Sequence, residues 1–230
     1  MNESPTQNET SSLLPQQNFG TIFAISAPSG CGKTTVLNIV LNELPEISRS
    51  VSVNTRAKRP GEIDGVDYIF VSPEQFDLWL AEGRFIEHVE IYGTKRGILK
   101  DTLFDSVKAG VDIVCIIDIR GVTLLKSLFA EHVVSIFLLP PSLDELQKRL
   151  QHRAADSQKE MEIRSSQAAS EIEGSVGYDY CLMNDDLEKC AQKLKGIFIK
   201  ERNKRRAKSR ESANFDVSST LYQATAKIGE

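Results

Sequence analysis

No apolar run in this sequence approaches the ~20 residues that a bilayer-crossing helix needs. The N-terminal stretch from Met1 to Asn18 is polar and has no apolar signal core. Cysteine is scarce: Cys31, Cys115, Cys181 and Cys190 show neither metal-ligand spacing nor a dense disulfide framework, which suits thiols kept reduced in a cytosol. The three histidines, His88, His132 and His152, are scattered and read as structural or surface residues. An excess of positive charge is missing too. With 28 Lys and Arg against 32 Asp and Glu the net charge is −4, so the surface as a whole offers no general attraction for nucleic acid. No internal repeat is visible. These absences lead us to expect a cytoplasmic protein with no membrane partner and no specific nucleic-acid partner. What remains is ordinary: 230 residues, 40% hydrophobic and 26% charged, enough for one large domain or two small ones.

The stretch that is out of the ordinary runs from Thr21 to Thr35, TIFAISAPSGCGKTT. Ile22–Ile25 reads as a buried strand, a loop of small residues follows, and Val36, Leu37, Ile39, Val40 and Leu41 recur at helical spacing. Strand, glycine-containing turn, Gly-Lys-Thr and helix form the setting of a phosphate-binding loop. Its backbone N–H groups converge on an anion, and the helix start adds unpaired N–H groups and the positive end of its dipole. Ala27, Pro28, Ser29, Gly30, Cys31, Gly32, Lys33, Thr34 and Thr35 make up this cradle. Lys33 supplies an ammonium for the β- and γ-phosphates and Thr34 a hydroxyl for Mg²⁺. Ala27 stands where the pattern begins with glycine. Cys31 reads as a small loop residue; its place in a positive nest raises the alternative of a thiol with a lowered pKa.

Strands and helices alternate along the rest of the chain. Strands are expected at 50–53, 68–71, 84–91, 111–117, 133–139 and 180–183. Ser72 and Pro73 open a helix, and further helices are expected at 98–109, 122–129, 143–153, 158–173 and 187 to about 206. This order argues for an α/β domain with a mainly parallel sheet. Asn54 to Gly65 is a charged loop in which Arg56 and Arg59 are spaced to chelate a second phosphate. Arg202 to Arg210 carries six basic side chains, read as a solvated helix end near the negative end of the dipole.

The segments SAPSGCGKTT, SVSVNTRAKRPGEIDGVDYIFVS, FIEH followed by YGT, VDIVCIIDIRG, PPSLDELQKRL and YDYCLMNDDL occur in the order seen in guanylate kinases, and the chain resembles that family from about Phe19 to Ile199. The resemblance implies a P-loop nucleoside monophosphate kinase architecture: a mainly parallel sheet flanked by helices, a small GMP-binding lobe at about 50–97 and a helical lid at about 150–170. The kinase domain would span 19–206, between disordered tails at 1–18 and 207–230. The resemblance also implies transfer of a phosphoryl group from ATP to GMP with Mg²⁺, as part of purine metabolism, by a monomer or homodimer.

By the same resemblance Ser52, Arg56, Arg59, Glu62, Tyr68, Tyr92 and Thr94 hold GMP, chiefly its phosphate, while Glu87 and Asp118 read guanine. Lys33, Arg149, Arg153 and Arg164 act on the transferring group, and Asn184 lies on the adenine side. Guanine presents N1–H and N2–H₂ as adjacent donors, which a carboxylate accepts as a pair. The chain departs from the family pattern at Ala27, at Ile116 and Arg120, and in a shortened loop before Tyr92. An inactive guanylate-kinase-like interaction module and a P-loop kinase for another small phosphorylated acceptor remain as alternatives.

Overall fold

A computed structural model describes residues 19–91, 93–146 and 168–226. Five strands form a parallel sheet in the order β2-β7-β1-β8-β9: β1 (Ile22–Ser26), β2 (Ile47–Arg49), β7 (Asp112–Ile116), β8 (Val133–Leu139) and β9 (Tyr180–Met183). All five residues of β1 are buried, because helices cover both faces of the sheet. Phe23 and Ile25 join Val36, Leu37 and Val40 of α1 (Lys33–Glu43) and Cys190, Leu194 and Phe198 of α5 (Leu187–Ala226). Ile22 and Ala24 face the other way, onto Leu103 and Val107 of α3 (Lys100–Lys108) and Val122, Leu125 and Phe129 of α4 (Ile119–Phe129). This two-sided burial is why the strand reads as an unbroken apolar run rather than an alternating one.

A second, four-stranded sheet has the order β4-β3-β6-β5, built from β3 (Val53–Asn54), β4 (Ile69–Phe70), β5 (Phe85–Ile91) and β6 (Thr94–Leu99). Its own core is small: Val53, Phe85 and Leu99 close on Phe76 of α2 (Pro73–Ala81), and the Phe76 and Phe85 rings stack at 4.3 Å. The Ser72 hydroxyl accepts from Gln75 N at 3.2 Å, the cap that the Ser-Pro pair predicts. In β5 and β6, Ile91 pairs with Thr94. The shortened loop is therefore a hairpin closed within two residues, with Gly93 at φ 69°.

Several boundaries differ from the sequence expectation. Residues 50–52 form no strand; they cross between sheets, with Ser50 N bonded to Val114 O (2.8 Å) and Ser52 O accepting from Ile69 N (2.9 Å). The expected helix at 98–109 starts only at Lys100, because Ile98 and Leu99 end β6 and are buried in different clusters. The last helix runs past Arg206 to Ala226, where polar composition leads one to expect disorder. Its basic stretch is not simply solvated. Arg202 pairs with Asp112 (3.0 Å) and Glu46, and Arg205 meets His132 Nδ1 (2.8 Å) and the Glu131 carbonyl.

Candidate functional site at the carboxyl ends of β1 and β7

Adjacent strands β1 and β7 lead into helices on opposite faces of the sheet, α1 on one and α4 on the other. A crevice at the carboxyl ends of such strands is where open α/β sheets collect ligands. The loop leaving β1 turns through Gly30 and Gly32 at φ 84° and 85°. Gly32 is required twice over, since a Cβ there would also stand 2.8 Å from the Asn184 amide nitrogen. Ala27 costs no backbone strain: among the described residues other than glycine, only Ala130 has a positive φ.

Lys33 Nζ donates to the carbonyls of Ala27 (2.5 Å) and Pro28 (3.0 Å). Burial lowers its pKa, opposed by the nearby Cys31 and Glu171. Ser29, Thr34 and Thr35 are exposed at the loop mouth. Cys31 has 0% exposure and its thiol donates to Leu138 O at 3.4 Å, so it packs the loop and does not present a reactive thiol. Asn184 is 4% exposed, and its amide donates to Cys31 O at 2.7 Å. It therefore braces the loop that leaves β1, where the resemblance leads one to expect contact with adenine.

Asp118 ends the loop after β7 and caps α4, accepting from Gly121 N at 2.9 Å. Its other oxygen accepts from Arg120 Nη2 (2.9 Å) and Nε (3.1 Å). Burial pushes the Asp118 carboxyl up, but the Gly121 N–H and the Arg120 guanidinium outweigh it, and the group lies below its ordinary value. Glu87 comes to the same place from β5. The pairing register shifts between Phe85 and Glu87, an irregularity that re-aims the strand, and Glu87 Oε2 accepts from Asp118 N at 2.8 Å. Burial pushes the Glu87 carboxyl up to about 7; the Asp118 N–H lowers it and the Asp118 charge raises it. Gly121 makes room for this carboxylate, because a Cβ there would fall 2.4 Å from Glu87 Oε2.

In the small sheet Arg56 grips Glu62 with both terminal nitrogens (Nη1 to Oε2 2.7 Å) and lies 5.1 Å from the Tyr68 ring and 5.4 Å from that of Phe70. Glu62 also accepts from Arg59 N (2.8 Å), and its pKa falls to about 2, first through the Arg56 hydrogen bond. Arg59 is exposed. Arg96 reaches the Tyr68 hydroxyl at 3.4 Å and its ring at 5.0 Å; it lies in β6, outside the charged loop whose spacing marks Arg56 and Arg59. Ser52 and Thr94 are half-buried. Tyr92, Arg149, Arg153 and Arg164 lie outside the described residues.

A glycine-containing loop and a half-buried carboxylate thus lie at the carboxyl ends of the adjacent strands β1 and β7, and the basic cluster belongs to the same small sheet that supplies Glu87. A family model described as guanylate kinase matches residues 20–214. The chain belongs to the guanylate kinase family. It is 42% identical over 189 residues to the guanylate kinase of Anaplasma phagocytophilum (strain HZ), covering 82% of this chain and 90% of that protein. The guanylate kinase of Zymomonas mobilis is 40% identical over 198 residues, covering 84% and 92%. A crystal structure of guanylate kinase from Anaplasma phagocytophilum is similar with a TM-score of 0.63 at 36% identity, covering 81% of this chain and 88% of that one. Tyr178 donates to the Ser26 hydroxyl (2.7 Å), and Glu171 interacts electrostatically with Lys33 and Asp118; no local motif announced them.

Proposed function

We propose that this chain transfers the γ-phosphoryl group of ATP to GMP, giving ADP and GDP. The observation that carries this reading is the seat of Glu87 on the α4 N-terminus, one strand away from the phosphate loop. A carboxylate there accepts both N1–H and N2–H₂ of guanine. Adenine has no N1 donor and would leave the charge unpaired.

In the reaction an oxygen of the GMP phosphate attacks the γ-phosphorus, and the bond to the β–γ bridging oxygen breaks. The acceptor is already anionic, so the chain supplies positioning and charge rather than a base. Lys33 exchanges the Ala27 and Pro28 carbonyls for phosphate oxygens. Arg56, pre-oriented by Glu62 and flanked by Tyr68, holds the acceptor phosphate together with Arg59 and Arg96. Asp118 keeps α4 capped and presents the N–H that fixes Glu87. The exposed Thr34 hydroxyl is a hard oxygen donor of the kind Mg²⁺ takes and would help to hold the ion. Such an ion would supply charge neutralisation for the ATP phosphates. The scarcity of cysteine favours a cytoplasmic setting, and GMP as acceptor puts the reaction in purine nucleotide metabolism.

A coupled assay of ADP formation from ATP, run across GMP, AMP, UMP and CMP, tests the reading. GMP is expected to exceed each of the others by at least about 10²-fold in kcat/KM. Comparable use of AMP would remove the guanine assignment, and no turnover with any acceptor would favour an interaction module.

A further inference from the structure

A chain of hydrogen bonds runs beneath the site. Tyr178 and Ser26 hydroxyls lie 2.7 Å apart, and Ser26 Oγ donates to the Ile117 carbonyl at 2.5 Å. Because Ser26 spends its single proton on Ile117, Tyr178 is the donor in their bond. The Ile117 carbonyl and the Asp118 N–H belong to one peptide group, and that N–H donates to Glu87 Oε2 at 2.8 Å. The chain from Tyr178 to Glu87 is therefore continuous and all its donors point the same way. A carbonyl that accepts a bond polarises its own amide and strengthens the bond its N–H donates.

Ser26 is 4% exposed and is the last residue of β1, immediately before the phosphate loop; Ile117 is also 4% exposed. The Tyr178 ring stands edge-on to Phe137 of β8 at 5.2 Å, so packing holds it independently of its hydroxyl. Burial pushes the phenol up to about 12, with Asp118, Glu171 and Glu87 adding to the shift, which keeps it a donor under any working condition.

We propose that Tyr178 and Ser26 are positioning residues for guanine recognition, fixing and polarising the 117–118 peptide that holds Glu87. This rests on the reading that Glu87 accepts from the base. It also ties the strand under the phosphate loop to the choice of acceptor, through contacts that touch neither nucleotide.

Steady-state kinetics of the full chain test it, with Tyr178→Phe and Ser26→Ala made in the presence of Glu87 and of Glu87→Ala. Tyr178→Phe retains the ring and its packing. It is expected to raise KM for GMP about two- to fivefold, and Ser26→Ala up to about tenfold, the range of one hydrogen bond. For Tyr178→Phe, KM for ATP and kcat should move by less than about twofold. The GMP effect should vanish when Glu87 is Ala, and Tyr178→Phe should add nothing to Ser26→Ala. An unchanged KM for GMP in Tyr178→Phe, an equal rise in KM for ATP, or the same rise with Glu87→Ala would overturn the proposal. Glu87→Ala alone tests the underlying reading: if it leaves KM for GMP unchanged, Glu87 does not read the base and the proposal falls with it.

Discussion

Strand β7 carries an aspartate at each end, and the two are used in opposite ways. At its start Asp112, with 7% of its side chain exposed, accepts from Thr21 N at 2.8 Å and pairs with Arg202 at 3.0 Å. Just past its other end Asp118, 39% exposed, caps α4 and pairs with an Arg120 that is 83% exposed. The first end is closed: the buried charge meets its counter-charge from α5, and the pair clamps the last helix to the sheet. The second end is open, and Glu87 stands beside Asp118 with its carboxyl raised to about 7. Parallel strands produce this asymmetry. Their carboxyl ends meet helix N-termini, which offer N–H groups to anions, so the fold leaves recognition capacity on one edge and spends charge on stability at the other.

The largest effect expected at the closed end is on stability. Asp112→Ala leaves the Arg202 guanidinium with Glu46 alone and the Thr21 N–H without its acceptor, and should cost about 3 kcal/mol, read from the denaturation midpoint. KM values for both substrates should stay unchanged. At the open end Lys33→Ala should do the reverse: kcat falls about 10²–10³-fold, the size of one lost charge-stabilising donor, while the denaturation midpoint and GMP binding by calorimetry are retained. Near-normal turnover would remove Lys33 from the chemistry.

A smaller effect concerns pH. The Glu87 carboxyl lies at about 7 when folded, against an ordinary value of 4.5. The folded chain therefore keeps a proton that the unfolded chain releases. That group's contribution to stability is full below about 4.5 and is lost as pH rises through about 7. GMP binding has the opposite sign, because a protonated carboxyl turns a hydrogen towards guanine donors. KM for GMP should fall roughly tenfold between pH 6 and pH 8 as Glu87 ionises. The phosphate of GMP titrates in the same range, so Glu87→Gln is the control: only the part of the profile that it removes belongs to Glu87.

The open end was the more legible of the two in the sequence. Local patterns carry it: an apolar run, a small-residue loop and Gly-Lys-Thr give β1, the loop after it and α1, and Asp118 follows an apolar strand, although its capping of α4 was not anticipated. Ser72-Pro73 and the run 133–139 were readable for the same reason. The three-residue β2 has no alternation to find, and the last two residues of β6 were absorbed into a helix because Ile98 and Leu99 mimic helical spacing. The closed end was hidden because its partners are remote: Asp112 meets Arg202 from α5, and a basic run looks alike whether it is solvated or clamped. Tyr178 and Ser26 are 152 positions apart, and nothing local marks either as part of a site. The resemblance singled out Asn184 for the adenine side, and its contact with Cys31 O, 153 positions away, had no local signal.

The contrast between the two ends is tested most directly by one ratio. The quotient of kcat/KM for GMP over that for AMP should be measured side by side for the unmodified chain, Glu87→Gln and Asp112→Ala. Loss of a charge-assisted pair costs about 1.5–3 kcal/mol, so Glu87→Gln should lower the ratio about ten- to a hundredfold, while Asp112→Ala leaves it unchanged in a less stable protein. An unchanged ratio in Glu87→Gln, or a comparable fall in Asp112→Ala, would contradict the division between a recognising and a stabilising end.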